Sequence, residues 1–357
     1  MALIGPQITV PANSSRLFTS SSEALEQPLS SVQLVSADNS SYLFNSAFDP
    51  TKIRYDLNYC TSNIFHFLES KTYFESLFPE LYDFVNVIEI GCGQGEFVDF
   101  LSTLGFSTFG FDPVIRKRSE NLFSCLWTID NETLHIPQVS GLPNLYLMRC
   151  VLPHIPDPFV FLDSIFDFSP NSAVLLEFQR REWICENGIW PQISHDHVNI
   201  FSVSDFSVSY EILSCGIFAQ GEWAYVLLGK KGFLEKEKSL ERVDVNFENV
   251  FGIRNRDLSF LVEHKEPVAI YGAAGKGIVF GYTLFQMGIS GVLAIDDDPN
   301  RHGLFMDGSG IMVYPTQDAL SELKRGSLIV VMNPSHLPKA SKIYHNRFDV
   351  VCIGKFG

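Results

Sequence analysis

Three stretches of the sequence combine residue types that can do chemistry. The first is Val87-Ile88-Glu89-Ile90-Gly91-Cys92-Gly93-Gln94-Gly95-Glu96-Phe97, an apolar run that enters glycines at alternate positions and then a helical pattern. Glycine tolerates a tight turn and lets a ligand approach the backbone. Asp112 stands at the end of the next expected strand, where a carboxylate can accept hydrogen bonds from both hydroxyls of a ribose. The second stretch is His195-Asp196-His197, read from its residues alone as a solvated turn or a two-histidine metal pair. No third ligand has metal-like spacing, so no metal is expected. The third is Tyr271-Gly-Ala-Ala-Gly-Lys276-Gly277, where Lys276 beside a helix N-terminus suits an anion such as a diphosphate. Asp296 to Asp298 follow the next strand at about ribose-binding distance. A nicotinamide half-site and a purely architectural loop are both readings of this unit.

Position 96 decides the ligand of the first loop. A dinucleotide fingerprint places a third glycine there, whereas Glu96 would oppose a pyrophosphate at the helix N-terminus. S-adenosylmethionine carries no phosphate, and Glu89 at the strand end can meet the ammonium of its methionine part. The plainer alternative is a tight glycine turn in an ordinary α/β protein.

These loops need strands and helices to hold them. Strands are expected over Val85 to Ile90, Thr108 to Phe111, Leu145 to Val151 and Ala173 to Phe178, with helices at 96 to 104 and 158 to 166. That alternation predicts a parallel sheet covered by helices, with antiparallel additions at Tyr210 to Leu213 and Trp223 to Gly229. Before it, Tyr55 to Leu81 has aromatic and aliphatic residues at helical spacing. Residues 1–40 read as a loose lead-in, 41–232 as the first unit, 233–265 as a charged helical linker and 266–357 as a smaller second α/β unit. The linker opens on Lys230-Lys231-Gly232-Phe233-Leu234-Glu235-Lys236-Glu237-Lys238, an exposed mixed-charge helix. The second unit starts at Val268 to Gly272 and continues through a helix at 276 to 287 and strands at 292 to 295 and 328 to 332.

Composition excludes some partners. With 26 Lys and Arg against 41 Asp and Glu, the formal charge is -15, and no basic cluster exists to neutralise phosphates. Nucleic acid is therefore not an expected partner. The 7 cysteines form no CxxC pair, which fits reduced thiols in a cytoplasmic protein. Gly277 to Ile295 lacks charged residues, but its glycines and a Gly-Ile-Ser-Gly turn predict a helix, a turn and a strand rather than a membrane span.

Glu89-Ile-Gly-Cys-Gly-Gln-Gly95 with Phe111-Asp112-Pro113 resembles motif I and the ribose-binding acid of class I S-adenosylmethionine methyltransferases. Tyr55-Asp-Leu-Asn-Tyr59, Val151-Leu-Pro-His154-Ile-Pro-Asp-Pro158 and Asp196-His197-Val198-Asn199 resemble the deoxysugar C-methyltransferases more narrowly. Tyr271 to Gly277, Asp296 to Pro299 and Gly303 to Gly310 are similar to that family's C-terminal domain, so the resemblance covers about residues 41–357.

The resemblance implies a class I methyltransferase Rossmann-like sheet followed by a second Rossmann-like domain that closes over substrate. It implies methyl transfer from S-adenosylmethionine to the carbon beside the ketone of a nucleotide-linked keto-deoxysugar. His197 matches the family's base, Asp196 its accompanying acid and Tyr59 a tyrosine near the sulfonium, with Tyr55 as the lesser candidate. Glu89, Gly91, Gly93, Gly95, Asp112 and His154 would hold the cofactor, and Asn199 and Lys276 the substrate. Arg180-Arg181-Glu182 suits either a diphosphate or a surface charge cluster. Pro153 replaces a usual acid, Ser194 a usual tyrosine, and the family's N-terminal zinc domain has no cysteines to form it here. The chain would then bind substrate differently, accept another substrate or use a partner protein. An O- or N-methyltransferase and a non-catalytic binding protein are the rival functions.

Overall fold

The computed structural model describes residues 2–36, 42–56, 58–59, 64–81, 84, 86–116, 119–124, 143–232 and 245–356. The chain begins with six short strands: β1 (Ala2–Leu3), β2 (Ile8–Pro11), β3 (Leu17–Phe18), β4 (Leu29–Val32), β5 (Leu34–Ser36) and β6 (Leu43–Asn45). Between β3 and β4 lies α1 (Ser21–Leu25), whose N-cap Ser20 side chain accepts the Glu23 N–H. Over the described residues 2–36 these strands and helix replace the loose lead-in expected for residues 1–40. Val10, Ala12, Leu17, Phe18, Val32 and Leu34 are all buried. Strands this short carry no readable period, and several take partners from far along the chain. β3 pairs with Phe305–Met306, and β6 with Asn199–Ile200.

Helix α2 (Ile64–Leu81) buries Tyr73, Phe74, Leu77 and Leu81 against one face of the first sheet. Tyr55 and Tyr59 precede it without helical structure; Tyr59 forms an isolated bridge to Arg16. The sheet itself is built from β7 (Asn86–Ile90), α3 (Glu96–Thr103), β8 (Ser107–Asp112), β9 (Leu122–Ser124), β10 (Asn144–Arg149), α4 (Pro158–Phe168) and β11 (Ala173–Gln179). After α5 (Arg181–Asn187) and β12 (Asn199–Ile200) come β13 (Glu211–Phe218) and β14 (Trp223–Gly229). The order is β13-β14-β11-β10-β7-β8-β9. β7 to β11 run parallel; β14 is antiparallel to β11 and to β13. Every residue of β7 and β11 is buried, as expected where helices cover both faces. The strand order reverses between β7 and β10, so their carboxyl ends open the crevice where such sheets bind ligands.

The second sheet follows α6 (Glu248–Glu263) and comprises β15 (Val268–Tyr271), α7 (Lys276–Gln286), β16 (Leu293–Asp296), β17 (Phe305–Met306), β18 (Val313–Pro315), α8 (Thr316–Glu322), β19 (Leu328–Val331), α9 (Leu337–Tyr344) and β20 (Asp349–Cys352). β17 stands apart with β3, and the other strands are parallel in the order β18-β16-β15-β19-β20. The charge-free stretch Gly277 to Ile295 is a helix, a turn and a strand, as expected; among the described residues no helix is long and apolar enough to cross a membrane.

The first part of the expected linker, 233–244, lies outside the described residues. The remainder differs from an exposed linker. α6 buries Val250, Phe251, Leu261 and Asp257, and Asp257 accepts Trp190 Nε1–H at 2.9 Å and Gly354 N–H at 3.0 Å. Its polar surface is dense enough to read as solvated, while a few large apolar side chains decide its packing. One apolar core joins the N-terminal strands, Trp183, Trp190, α6 and the second sheet.

Candidate functional site

The first glycine loop needs its glycines. Gly91, Gly93 and Gly95 have φ of +75°, +58° and +88°, and a Cβ at Gly91 would meet Val151 at 2.2 Å. Gly91 N–H and Cys92 N–H donate to the Phe111 carbonyl at 2.7 and 3.1 Å, tying the loop to the end of β8. There Asp112 accepts Gly93 N–H on Oδ2 at 2.9 Å and Val114 N–H on Oδ1 at 2.8 Å. Burial pushes its pKa up against the opposing pull of those two donors. The first turn of α3 carries Glu96 and Asp99, a poor seat for phosphate.

Glu89 is wholly buried at the end of β7 and meets Arg149 from β10, Oε1 to Nε at 2.8 Å. The guanidinium lies 3.9 Å over the Phe97 ring. Burial raises the Glu89 pKa and Arg149 opposes it. The other oxygen, Oε2, is buried with no partner among the described residues. Arg149 escaped the sequence reading, although a basic residue closing an apolar strand was its signal.

The histidine stretch lies where the two sheets approach. His195 is structural: Nδ1 bonds the Ala12 carbonyl at 3.1 Å and Nε2 accepts Asp49 N–H at 3.0 Å, leaving no ring nitrogen for a metal. Among the described residues no group of three or more His, Cys, Asp and Glu side chains suits a metal ion. Asp196 is buried, with Oδ2 accepting Ser14 N–H and Oγ–H at 2.9 and 3.0 Å and Oδ1 accepting Ser194 Oγ–H at 2.9 Å. Thus the serine at 194 holds the acid, and the N-terminal segment completes the site. Nothing in the sequence linked Ser14 to Asp196.

His154 and His197 face each other edge to face, with ring centroids 4.6 Å apart. His154 Nδ1 donates to the Asp196 carbonyl at 2.7 Å, which leaves Nε2 with a lone pair. Gln192 Nε2 lies 2.7 Å from His197 Nδ1. Burial and the neighbouring His154 lower the His197 pKa to about 4, despite the pull of Asp196. Burial also lowers that of His154, so both rings are neutral at pH 7. Tyr59 is half-buried, hydrogen-bonded to Ser15 and ring-stacked edgewise on Tyr55 at 5.1 Å. Burial, then the charges of Asp196 and, more weakly, Asp112, hold its hydroxyl protonated.

Other expected ligand residues are already engaged. Asn199 Nδ2–H donates to the Ile155 carbonyl at 2.6 Å, bracing the turn that carries His154. Lys276 pairs with Glu222 at 3.0 Å across the two sheets, where Gln179 and Asn333 also donate to that carboxylate at 2.6 and 2.7 Å. Arg180 donates to the Gly221 carbonyl at 2.9 Å, and Arg181 is buried 3.6 Å from Asp205.

The strand order of the first sheet is that of the Rossmann-like class I methyltransferase fold, and residues 61–208 match the family model of a methyltransferase domain. Solved structures similar to the chain include the PH0226 protein from Pyrococcus horikoshii OT3, 13% identical over 45% of this chain and 91% of that one, TM-score 0.33. Magnesium protoporphyrin IX methyltransferase from Synechocystis PCC 6803, solved with S-adenosylhomocysteine (SAH), is 12% identical over 48% and 89%, TM-score 0.34. The plantazolicin methyltransferase BpumL, also solved with SAH, is 13% identical over 47% and 85%, TM-score 0.35. No curated protein matches the chain.

The methyl donor for such a domain is S-adenosylmethionine, and the residues fit it. Asp112, oriented by two N–H groups, would present its carboxylate to ribose hydroxyls, and Glu89 Oε2 is a buried acceptor without a donor among the described residues.

Proposed function

We propose that the chain is an S-adenosylmethionine-dependent methyltransferase acting on carbon beside the ketone of a nucleotide-linked keto-deoxysugar. The observation that carries this is the pair of half-buried neutral imidazoles, His154 and His197, set edge to face beside the buried Asp196. A neutral imidazole can take a proton from a carbon acid, and the imidazolium formed then faces the enolate it has created. The cofactor supplies an electrophilic methyl group.

His197 acts as the base when the Gln192 amide turns its oxygen to Nδ1–H, leaving Nε2 free to accept. Asp196, fixed by Ser14 and Ser194, stabilises the imidazolium, and Tyr59 donates its hydroxyl toward the substrate. Lys276 and Asn199 act on substrate through the surfaces they brace. A second reading gives the base role to His154, because the Asp196 carbonyl already holds its Nδ1–H and bares Nε2. Where the family would use a zinc domain, this chain brings its N-terminal segment to the acid through Ser14, which donates twice to Asp196.

The test is to incubate the protein with S-adenosylmethionine and a panel of nucleotide ketosugars and seek a mass gain of one methyl on carbon. His197→Asn should lower turnover by about 10²- to 10⁴-fold with SAH affinity unchanged. Loss on His154→Asn but not His197→Asn moves the base to His154. Methylation of oxygen or nitrogen, or SAH binding without turnover of any acceptor, overturns the C-methylation reading.

A further inference from the structure

A second cluster of reactive groups lies at the carboxyl ends of the central strands β10 and β11 and is unused by that chemistry. Cys150 follows β10 with φ of +60°, the left-handed region that a cysteine rarely adopts. Its sulfur is 3.5 Å from His66 Nε2 on α2, and the thiol is partly exposed. The same ring nitrogen lies 3.1 Å from Oε2 of Glu177, which is fully buried on β11. Glu177 also accepts the Ser70 hydroxyl at 2.8 Å and the Tyr73 hydroxyl, while Trp223 packs on the imidazole with centroids 4.4 Å apart. Three elements therefore fix one imidazole between a carboxylate and a sulfur.

We propose that Cys150 is a nucleophilic thiol, activated by the His66–Glu177 pair, and a site of covalent modification by soft electrophiles and peroxides. A cysteine beside an imidazolium reacts faster than an isolated one because the cation stabilises charge on sulfur. The groups facing it are His66, Ser70 and Tyr73 from α2, Glu177 from β11, Trp223 from β14 and the neighbouring Arg149 with Glu89. Burial lowers the His66 pKa, but charge on Cys150 and then the Glu177 carboxylate raise it to about 10, so the cationic ring is favoured once the sulfur is ionised. With an alkyl halide, sulfur forms a carbon bond and halide leaves. With hydrogen peroxide, sulfur gains one oxygen as sulfenate, the peroxide is reduced to water, and two electrons pass from sulfur. A group added at Cys150 sits one residue from Arg149, so modification would disturb Glu89 and weaken cofactor binding; that consequence rests on the methyltransferase reading.

The experiment is alkylation of the full chain with iodoacetamide at pH 6.5, followed by peptide mass spectrometry. Cys150 should react about tenfold faster in the native protein than in the same protein unfolded in urea, and His66→Gln should abolish the difference. Native Cys150 reacting no faster than in the unfolded chain overturns the proposal, and so does an unaltered rate in a folded His66→Gln protein. SAH titration of alkylated and unmodified protein separates the two ideas. Affinity lost only after alkylation supports the coupling, equal affinity overturns it, and no SAH binding by unmodified protein defeats the cofactor reading while the rates still judge the thiol.

Discussion

Two strand–loop–helix units of this chain end in the same pattern and then part. In the first, Gly93 N–H and Val114 N–H donate to the two oxygens of Asp112 at 2.9 and 2.8 Å. In the second, Ala273 N–H and Asp298 N–H donate to the two oxygens of Asp296 at 2.8 and 2.9 Å. Each acid thus binds the loop on one side and the backbone two residues ahead on the other. Asp296 carries an addition: Arg301 Nη1 lies 3.0 Å away, and the loop's Lys276 is held by Glu222 at 3.0 Å. No cation pairs with Asp112 among the described residues. The same backbone cradle thus leaves one acid open to a ligand's donors and gives the other a counter-charge from its own chain, which is the contrast expected if only the first holds the cofactor.

The largest effect that could break this comparison is on cofactor affinity. Asp112→Ala should weaken SAH binding about 100-fold, the worth of two charge-assisted hydrogen bonds, whereas Asp296→Ala should change it by less than about twofold. Calorimetric titration of both variants decides. Equal losses would make the second unit part of the cofactor site.

A smaller effect sharpens the same contrast in stability. Asp307, on the loop after β17, is 1% exposed, and its Oδ1 has no partner among the described residues. Burial, opposed by Arg16 and reinforced by Asp196 and Asp56, pushes its pKa up to about 8 from 3.8. Between those values the folded state holds a proton that the unfolded chain has released, so this contribution is full below about pH 4 and gone above about pH 8. Unfolding free energy should fall by about 1 kcal/mol per pH unit in that window. Asp307→Asn should flatten the slope in urea titrations at pH 5, 6 and 7. An unchanged slope would remove Asp307 as its source.

How far the sequence revealed these features depended on how local their causes were. The parallel strands around Gly91 and Gly272 were legible because strands buried on both faces read as continuous apolar runs ending in glycine. Asp112 was legible because its place follows from the strand order. The pairings that complete the site were not. Ser14 meets Asp196, Arg149 meets Glu89 and His66 meets Cys150 only after folding, and no short-range pattern marks such distant partners. The N-terminal strands were missed for the same reason, since β3 and β6 find their neighbours in residues 305–306 and 199–200. Lys276 was visible as a cation at a glycine loop, but Glu222, which occupies it, sits in another sheet's connection and gave no sign of doing so.

The smallest expected effect tests whether the second unit is closed to nucleotides. A dinucleotide ribose would need the Asp296 carboxylate, whose Oδ2 Arg301 now engages, and its pyrophosphate would need Lys276 released from Glu222. Breaking two partly buried ion pairs costs several kcal/mol that binding would have to recover. Nicotinamide dinucleotides at about 1 mM should therefore leave the unfolding temperature unchanged within about 1 °C, while SAH at the same concentration raises it, as a ligand selective for the folded state must. Arg301→Gln uncovers Asp296 and keeps the side chain polar, so it should still confer no dinucleotide response, because Lys276 remains tied. If that single change produces a shift, the second cradle is a masked nucleotide site and Arg301 is what masks it.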